Sequence, residues 1–169
     1  MIKQALTSAL TSLPLPPEIL TVLIAMLPVL EIRAAIPVGH GILGLSWFSA
    51  FAWSYFGSLI PGLVILYATE PVLGFCNQRS RTCQRVIGRA LEHTRRHFAQ
   101  QHEKFGHLLV LVITAIPFPG FGIWSGALAA AVFGVEKRQA LKLMLVGNVI
   151  ASLVVLLVSM GVVKAAAFL

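Results

Sequence analysis

Charge is scarce in this chain. Only 11% of its 169 residues are charged, where a soluble domain carries roughly 25%. Together with 57% hydrophobic residues and a mean hydropathy of +0.87, that scarcity excludes an ordinary soluble protein. It points to a polytopic membrane protein, and the length suits one membrane domain, 1–169. Cysteine is scarce too, with only Cys76 and Cys83. Their spacing is not that of a zinc finger and nothing pairs with them, so they read as free thiols on a reducing face. No Ser-His-Asp, paired-carboxylate or Walker pattern is present, which argues against an enzyme and against a cofactor. No cleavable signal peptide is evident: Lys3 is followed by small or polar residues and no Ala-x-Ala site closes the first apolar run. Insertion is therefore expected to use the spans themselves.

What charge there is lies unevenly. Arg79, Arg81, Arg85, Arg89, Arg95, Arg96 and Lys104 face only Glu92 and Glu103, and Lys137, Arg138 and Lys142 form a second cluster. The positive-inside rule puts both clusters in the cytoplasm. No aromatic residues interleave with the arginines, so nucleic acid is not the expected partner; membrane lipid is. His93 and His97 lie four apart on this basic stretch, but no further ligand is convincingly placed, and no metal is expected.

Apolar residues at Ile2, Ala5, Leu6, Ala9, Leu10 and Leu13 predict an interfacial helix over 1–14. Ile19–Leu30 is apolar for only half a span and contains Pro28. Leu45–Thr69 is uncharged for a full span, ended by Glu70-Pro71. Apolar positions from Cys83 to Phe98 predict an amphipathic cytoplasmic helix within 71–104. Phe105–Gly134 is interrupted by Pro117-Phe118-Pro119-Gly120-Phe121-Gly122, and Gln139 or Ala140 to Val163 is the second full span.

One tripeptide occurs twice, as Ala35-Ile36-Pro37 and Ala115-Ile116-Pro117. Each copy is expected to break a membrane helix, and non-helical backbone inside a bilayer is tolerated mainly where it lines a buried cavity. The halves resemble each other further. A shift of 90 residues places Gly44 on Gly134, Gly57 on Gly147, Ser58 on Asn148 and Leu63 on Leu153. The Ala-Ile-Pro copies need a shift of 80, which implies a ten-residue insertion around Ala127–Val132. The fold expected is an all-α integral membrane protein of two inverted repeats, 17–70 and 105–169. Each repeat is a re-entrant helical hairpin plus one full transmembrane helix, and the hairpin tips meet near the midplane. Inverted repeats with broken helices are common in secondary transporters.

The first break carries Glu31 and Arg33. One reading is a salt bridge that satisfies broken backbone. The other gives Glu31 as a proton or cation acceptor and Arg33 as an anion ligand. In a regular helix residues two apart face different sides, so pairing needs the break or a partner from the other hairpin. The second break offers backbone N–H groups instead of charge. The candidate substrate-binding set is Arg33, Pro37 and His40 in the first break, Pro117, Pro119, Gly120, Gly122 and Trp124 in the second, and Asn148 in the second full span. Asn148 and Ser58 are equally readable as helix glue, Trp124 as a stacking surface, and His40 as a proton relay.

Glu31-Ile32-Arg33-Ala34-Ala35-Ile36-Pro37 resembles the E-x-R-x-x-I-P motif of the small multidrug export proteins. Pro117 to Ala127 is similar to that family's P-x-P-G-x-G-x-W-x-G-A stretch. The resemblance covers most of Leu27 to Gly161. It implies a distant similarity to the DedA, or SNARE-associated, membrane proteins, a group credited with two re-entrant hairpins and proton-linked lipid-carrier translocation; their acidic and arginine residues map onto Glu31 and Arg33. The expected function is a proton-linked transporter or exporter of small amphiphilic or anionic substrates in the bacterial inner membrane. A lipid-carrier flippase or scramblase and a non-transporting membrane scaffold are the alternatives. The short, glycine-rich hairpins favour a homodimer.

Overall fold

The structure is a computed structural model that describes residues 14–79, 88–89, 92, 96, 106–118 and 120–167. Among these it has six α-helices and no strand: α1 (Pro17–Met26), α2 (Glu31–Gly41), α3 (Trp47–Arg79), α4 (Leu109–Ala115), α5 (Ile123–Val132) and α6 (Lys137–Ala167). A short 3-10 turn, Gly106–Leu108, leads into α4. The interfacial helix expected over 1–14 and most of the basic helix expected within 71–104 lie outside the described residues.

Proline sets most of the helix boundaries. Pro17 occupies the first turn of α1, where its missing N–H costs nothing and its fixed φ is already helical. Glu18 beside it complements the positive end of the helix dipole. The helix stops at Met26 because Leu27 precedes Pro28, and a residue before proline is pushed out of the α region. Leu27 accordingly sits at φ −78°, ψ 131°. The same rule stops α4: Ile116, before Pro117, is extended at φ −86°, ψ 112°.

The two Ala-Ile-Pro copies therefore differ in conformation. The second ends α4, as expected. The first does not break the chain, because α2 runs helically from Glu31 through Pro37 to Gly41. Pro37 costs α2 one ladder bond, to the carbonyl four residues back, and its ring lies on an exposed position. The break falls at Leu27–Leu30, where Leu30 N–H and Glu31 N–H both donate to Leu27 C=O at 3.2 and 2.9 Å. Once Pro28 is matched with Pro117, no ten-residue insertion is needed. The long helices start at Trp47 and Lys137, at the same 90-residue offset that separates Ser58 from Asn148.

Both long helices contain a stretch long and apolar enough to cross a membrane, Trp47–Thr69 and Lys137–Gly161. Ser46 starts α3 by accepting from the Ser49 N–H at 3.1 Å. The helix passes the expected stop at Glu70-Pro71 and continues to Arg79. Pro71 removes one intrahelical bond but leaves the rest of the ladder. The exposed residues Trp53, Phe56, Ile60, Val64 and Tyr67 recur at helical spacing along α3, and Val146, Val149, Ile150, Leu153, Val154, Leu157 and Val158 along α6. The buried residues include Ser54, Ser58, Asn148 and Ser152. Apolar outside with polar inside is the distribution that a lipid environment selects.

The chain divides into two compact units, Met1–Ile60 with Asn148–Leu169, and Pro61–Gly147. In the first unit α1 and α2 share a core of Ile24, Ala25, Leu30 and Ala35. Ile32 and Ile36 of α2 pack with Ala151 and Val155 of α6, against Trp47 and Phe51 of α3. Asn148 meets Tyr55 and Ser58, so the α3 and α6 segments of this unit run antiparallel. In the second unit Leu109 and Ile113 of α4 pack on Ala129 of α5, with Phe121 and Phe133 against them.

One glycine in each unit allows a long helix to touch the helix that opens a short pair. A Cβ on Gly57 would lie 2.8 Å from the Val22 carbonyl oxygen of α1. A Cβ on Gly147 would lie 2.8 Å from Thr114 Cβ and 2.9 Å from the Leu111 carbonyl oxygen of α4. These two glycines are equivalent under the 90-residue shift, as are Gly44 and Gly134, both at positive φ (73° and 64°) just before the long helices.

Candidate functional site

The first unit holds the charged site. Glu31 opens α2 with φ 45°, the one non-glycine residue at positive φ among those described. A carboxylate residue in left-handed backbone costs about 1–2 kcal/mol, and such strain persists only where packing imposes it. Its geometric effect is specific. In regular helix the side chains of residues 31 and 33 would diverge. The turn at Glu31 swings its carboxylate back, and Arg33 Nη2 donates to Glu31 Oε2 at 2.6 Å. The Glu31 side chain is 4% exposed and that of Arg33 18%. A charge that deep is held only by pairing and hydrogen bonding.

Arg33, Pro37 and His40 follow one another along one face of α2, at spacings of four and three. His40 donates from Nδ1 to the Leu45 carbonyl at 2.8 Å. A carbonyl can only accept, so this bond requires a proton on Nδ1. The ring stacks on Trp47, with centroids 3.6 Å apart and planes 24° from parallel. This bond and this stack fasten the end of α2 to the start of α3. The signal for this contact in the sequence is that Trp47 stands seven residues after His40, across a glycine-containing turn.

Asn148, of the same unit, is 2% exposed. Its side-chain amide donates to Ser58 Oγ at 2.8 Å and to the Tyr55 carbonyl at 3.4 Å. Ser58 Oγ in turn donates to the Tyr55 carbonyl at 2.9 Å. The amide thus joins α6 to α3, which is the helix-glue reading.

The second unit holds the other set. Pro117, Gly120 and Gly122 form the connection between α4 and α5, and Trp124 lies in the first turn of α5; Pro119 lies outside the described residues. The connection is bonded to itself. Phe121 N–H donates to Phe118 C=O at 2.9 Å, Gly122 N–H returns to Ile113 C=O at 2.9 Å, and Ser125 Oγ reaches Gly120 C=O at 2.7 Å. Gly120 and Gly122 supply the positive φ values, 89° and 122°, that this path requires. Trp124 Nε1 is buried and makes no hydrogen bond. The structure thus brings Glu31 together with Arg33, aligns Arg33 with Pro37 and His40, and gives Pro117, Gly120, Gly122 and Trp124 to the other unit.

Neither the curated proteins nor the solved structures compared with the chain gave a match. A family profile did match, over residues 31–154, and it begins at Glu31 itself. The family is described as "Putative small multi-drug export protein". With well over half its length matched, the chain belongs to this small multidrug export family of membrane proteins.

Proposed function

We propose that the chain is a proton-linked transporter of small amphiphilic or anionic substrates in a bacterial inner membrane, and that Glu31 exchanges the proton. Membership of the export family supports membrane transport as the activity. The observation that carries the finer reading is the Glu31–Arg33 pair, almost buried and set at a break between short helices. A purely structural element at this place could be apolar at lower cost. An ionisable group held in strained backbone within an apolar protein is a functional candidate.

The pair suggests its own coupling. While Glu31 is ionised, its carboxylate neutralises the guanidinium. Once Glu31 takes up a proton, its carboxyl no longer offsets the guanidinium charge, and a substrate carboxylate or phosphate can do so. Proton and anion then bind in the same state. His40, on the same face of α2, would carry protons along that face.

The short helices support the re-entrant reading. With 10, 11, 7 and 10 residues, they rise about 10–17 Å, against a hydrocarbon core of about 30 Å. Each pair would then enter and leave the bilayer on one side. The matched positions at the 90-residue offset support a duplicated chain, and an inverted arrangement would be the transporter-like one.

The test is transport by the purified protein in liposomes under an imposed pH gradient. Glu31→Gln keeps the shape and removes the titration, so its transport should no longer respond to the gradient. A variant that transports like wild type with unchanged pH dependence overturns the proton role.

A further inference from the structure

The α4–α5 connection leads to a buried donor that the Glu31 site does not use. In each break the residue three after the proline is left-handed: Glu31 after Pro28, and Gly120 after Pro117, at φ 45° and 89°. The first turn presents a carboxylate at this position. The second presents no side chain, and a Cβ placed on Gly120 meets nothing within 4 Å. Four residues on, the indole N–H of Trp124 is buried and makes no hydrogen bond. Neighbouring donors are spent within the connection, Phe121 N–H and Gly122 N–H on carbonyls and Ser125 Oγ on Gly120 C=O. An indole N–H can only donate, and closing a donor off without an acceptor is costly.

The surroundings define which acceptor fits. From residue 106 to 135 the sequence holds no acid and no base except His107. A full negative charge brought to Trp124 would lose more hydration than one neutral donor returns. An uncharged carbonyl loses far less. Ile116 and Phe118 of the same connection are exposed at 39% and 61% and offer apolar surface to the body that carries the carbonyl. The Trp124 side chain is only partly buried, so it is the N–H edge that is closed off.

We infer that the α4–α5 connection is a seat for an uncharged carbonyl of an amphiphilic substrate, with Trp124 Nε1 as the donor that reads it. A local opening at Gly120 and Gly122 admits the oxygen, and Ile116 and Phe118 take the apolar part. The inference rests on the transport reading and adds a neutral acceptor to what the substrate carries.

Full-length protein with nitrogen-15-labelled tryptophan, in dodecyl maltoside, which has no carbonyl, tests it by NMR. Trp47, Trp53 and Trp124 each give an indole N–H resonance, and Trp124→Phe identifies the third. Methyl octanoate should move the Trp124 resonance downfield and leave the other two in place. Nonane, a similar apolar body without an acceptor, should not move it. Trp124→Phe keeps an aromatic ring and removes the donor. Followed at the Gly120 amide, it should bind methyl octanoate roughly fivefold more weakly, as expected for one neutral hydrogen bond. No movement, or equal movement with nonane, overturns the seat. A larger response to octanoate than to its methyl ester would assign an anion and also overturn it. A diester phospholipid that reproduces the shift, where its diether analogue does not, would assign a lipid ester and overturn the substrate role. Should Trp124→Phe fail to fold, the wild-type titration still decides, with Trp47→Phe and Trp53→Phe naming the other resonances. Liposome assays separate the two readings: a Trp124 response in a protein that transports nothing sinks the transport reading alone, and transport without a response sinks the seat alone.

Discussion

Asn148 donates its side-chain amide to Ser58 Oγ at 2.8 Å across a separation of 90 residues, the same offset that aligns the two halves of the chain. Positions that correspond in sequence thus meet in space, and they do so inside an apolar protein where each would otherwise be costly. Interhelical polar contacts in membrane proteins average about 0.6 kcal/mol and reach about 1.7. Asn148→Leu should therefore destabilise by about 1 kcal/mol, read from the unfolding midpoint in detergent. Combined with Ser58→Ala, the loss should be smaller than the sum of the two. Additive losses would show that the contact carries no coupling.

The equivalent glycines make a paired prediction. Gly57→Ala and Gly147→Ala each push a Cβ to within 2.8 Å of a neighbouring helix. Both should cost roughly 1–3 kcal/mol, the usual penalty for overpacking. Gly41→Ala meets nothing within 4 Å and should be neutral or slightly stabilising. Thermal unfolding of the three variants compares them; equal midpoints would mean that the helices separate freely there.

Glu31 and Arg33 should behave as one unit. Removing one partner of a buried pair leaves a charge uncompensated, at roughly 3–5 kcal/mol when burial is complete. Arg33 is 18% exposed at its side chain and can turn towards water, so Glu31→Gln should cost less than that full range. The double variant Glu31→Gln/Arg33→Gln should be more stable than Arg33→Gln alone, in which the buried Glu31 carboxylate has lost the guanidinium. An unfolding series in detergent reads the order directly, and a double variant less stable than both singles would contradict it.

The backbone at Glu31 can be tested apart from its charge. At φ 45° a glycine is unstrained and an alanine is not. Glu31→Gly should exceed Glu31→Ala in stability by about 1 kcal/mol, although glycine gains more entropy on unfolding. The reverse order would mean that the left-handed turn is absent in solution.

The His40–Trp47 stack should hold the turn between α2 and α3. Offset aromatic pairs contribute about 0.5–1.5 kcal/mol beyond burial. Trp47→Leu should release that amount and speed amide exchange around residues 42–46, while exchange in α5 stays unchanged. Unaltered exchange in the turn would show that the Leu45 contact alone fastens it.

Much of the helix order was legible from residue pattern. Leu45–Thr69 and the run ending at Val163 were readable as spans, because an uncharged stretch of that length has few alternatives. Pro117 to Gly122 was readable as a break, because two prolines and two glycines leave little helix possible. Pro37 was misleading. A proline inside an apolar run signals a break, yet whether the helix stops depends on which proline catches the chain first. Pro28 did so by holding Leu27 extended, and α2 then ran on through Pro37 at the loss of one ladder bond. Pro71 misled in the same way at the end of α3.

The candidate site divides along the same line. By itself the sequence determined that a carboxylate and a guanidinium two residues apart stand at the edge of an apolar segment, and that charge this scarce in a membrane protein needs a partner. It could not determine that they pair with each other, because in a regular helix they would point apart. Only the tertiary structure decided that. Packing of α1 on α2 through Ile24, Ala25, Leu30 and Ala35 closes the chain tightly enough at Leu27–Leu30 to force Glu31 into left-handed backbone, and that single dihedral turns the carboxylate onto Arg33.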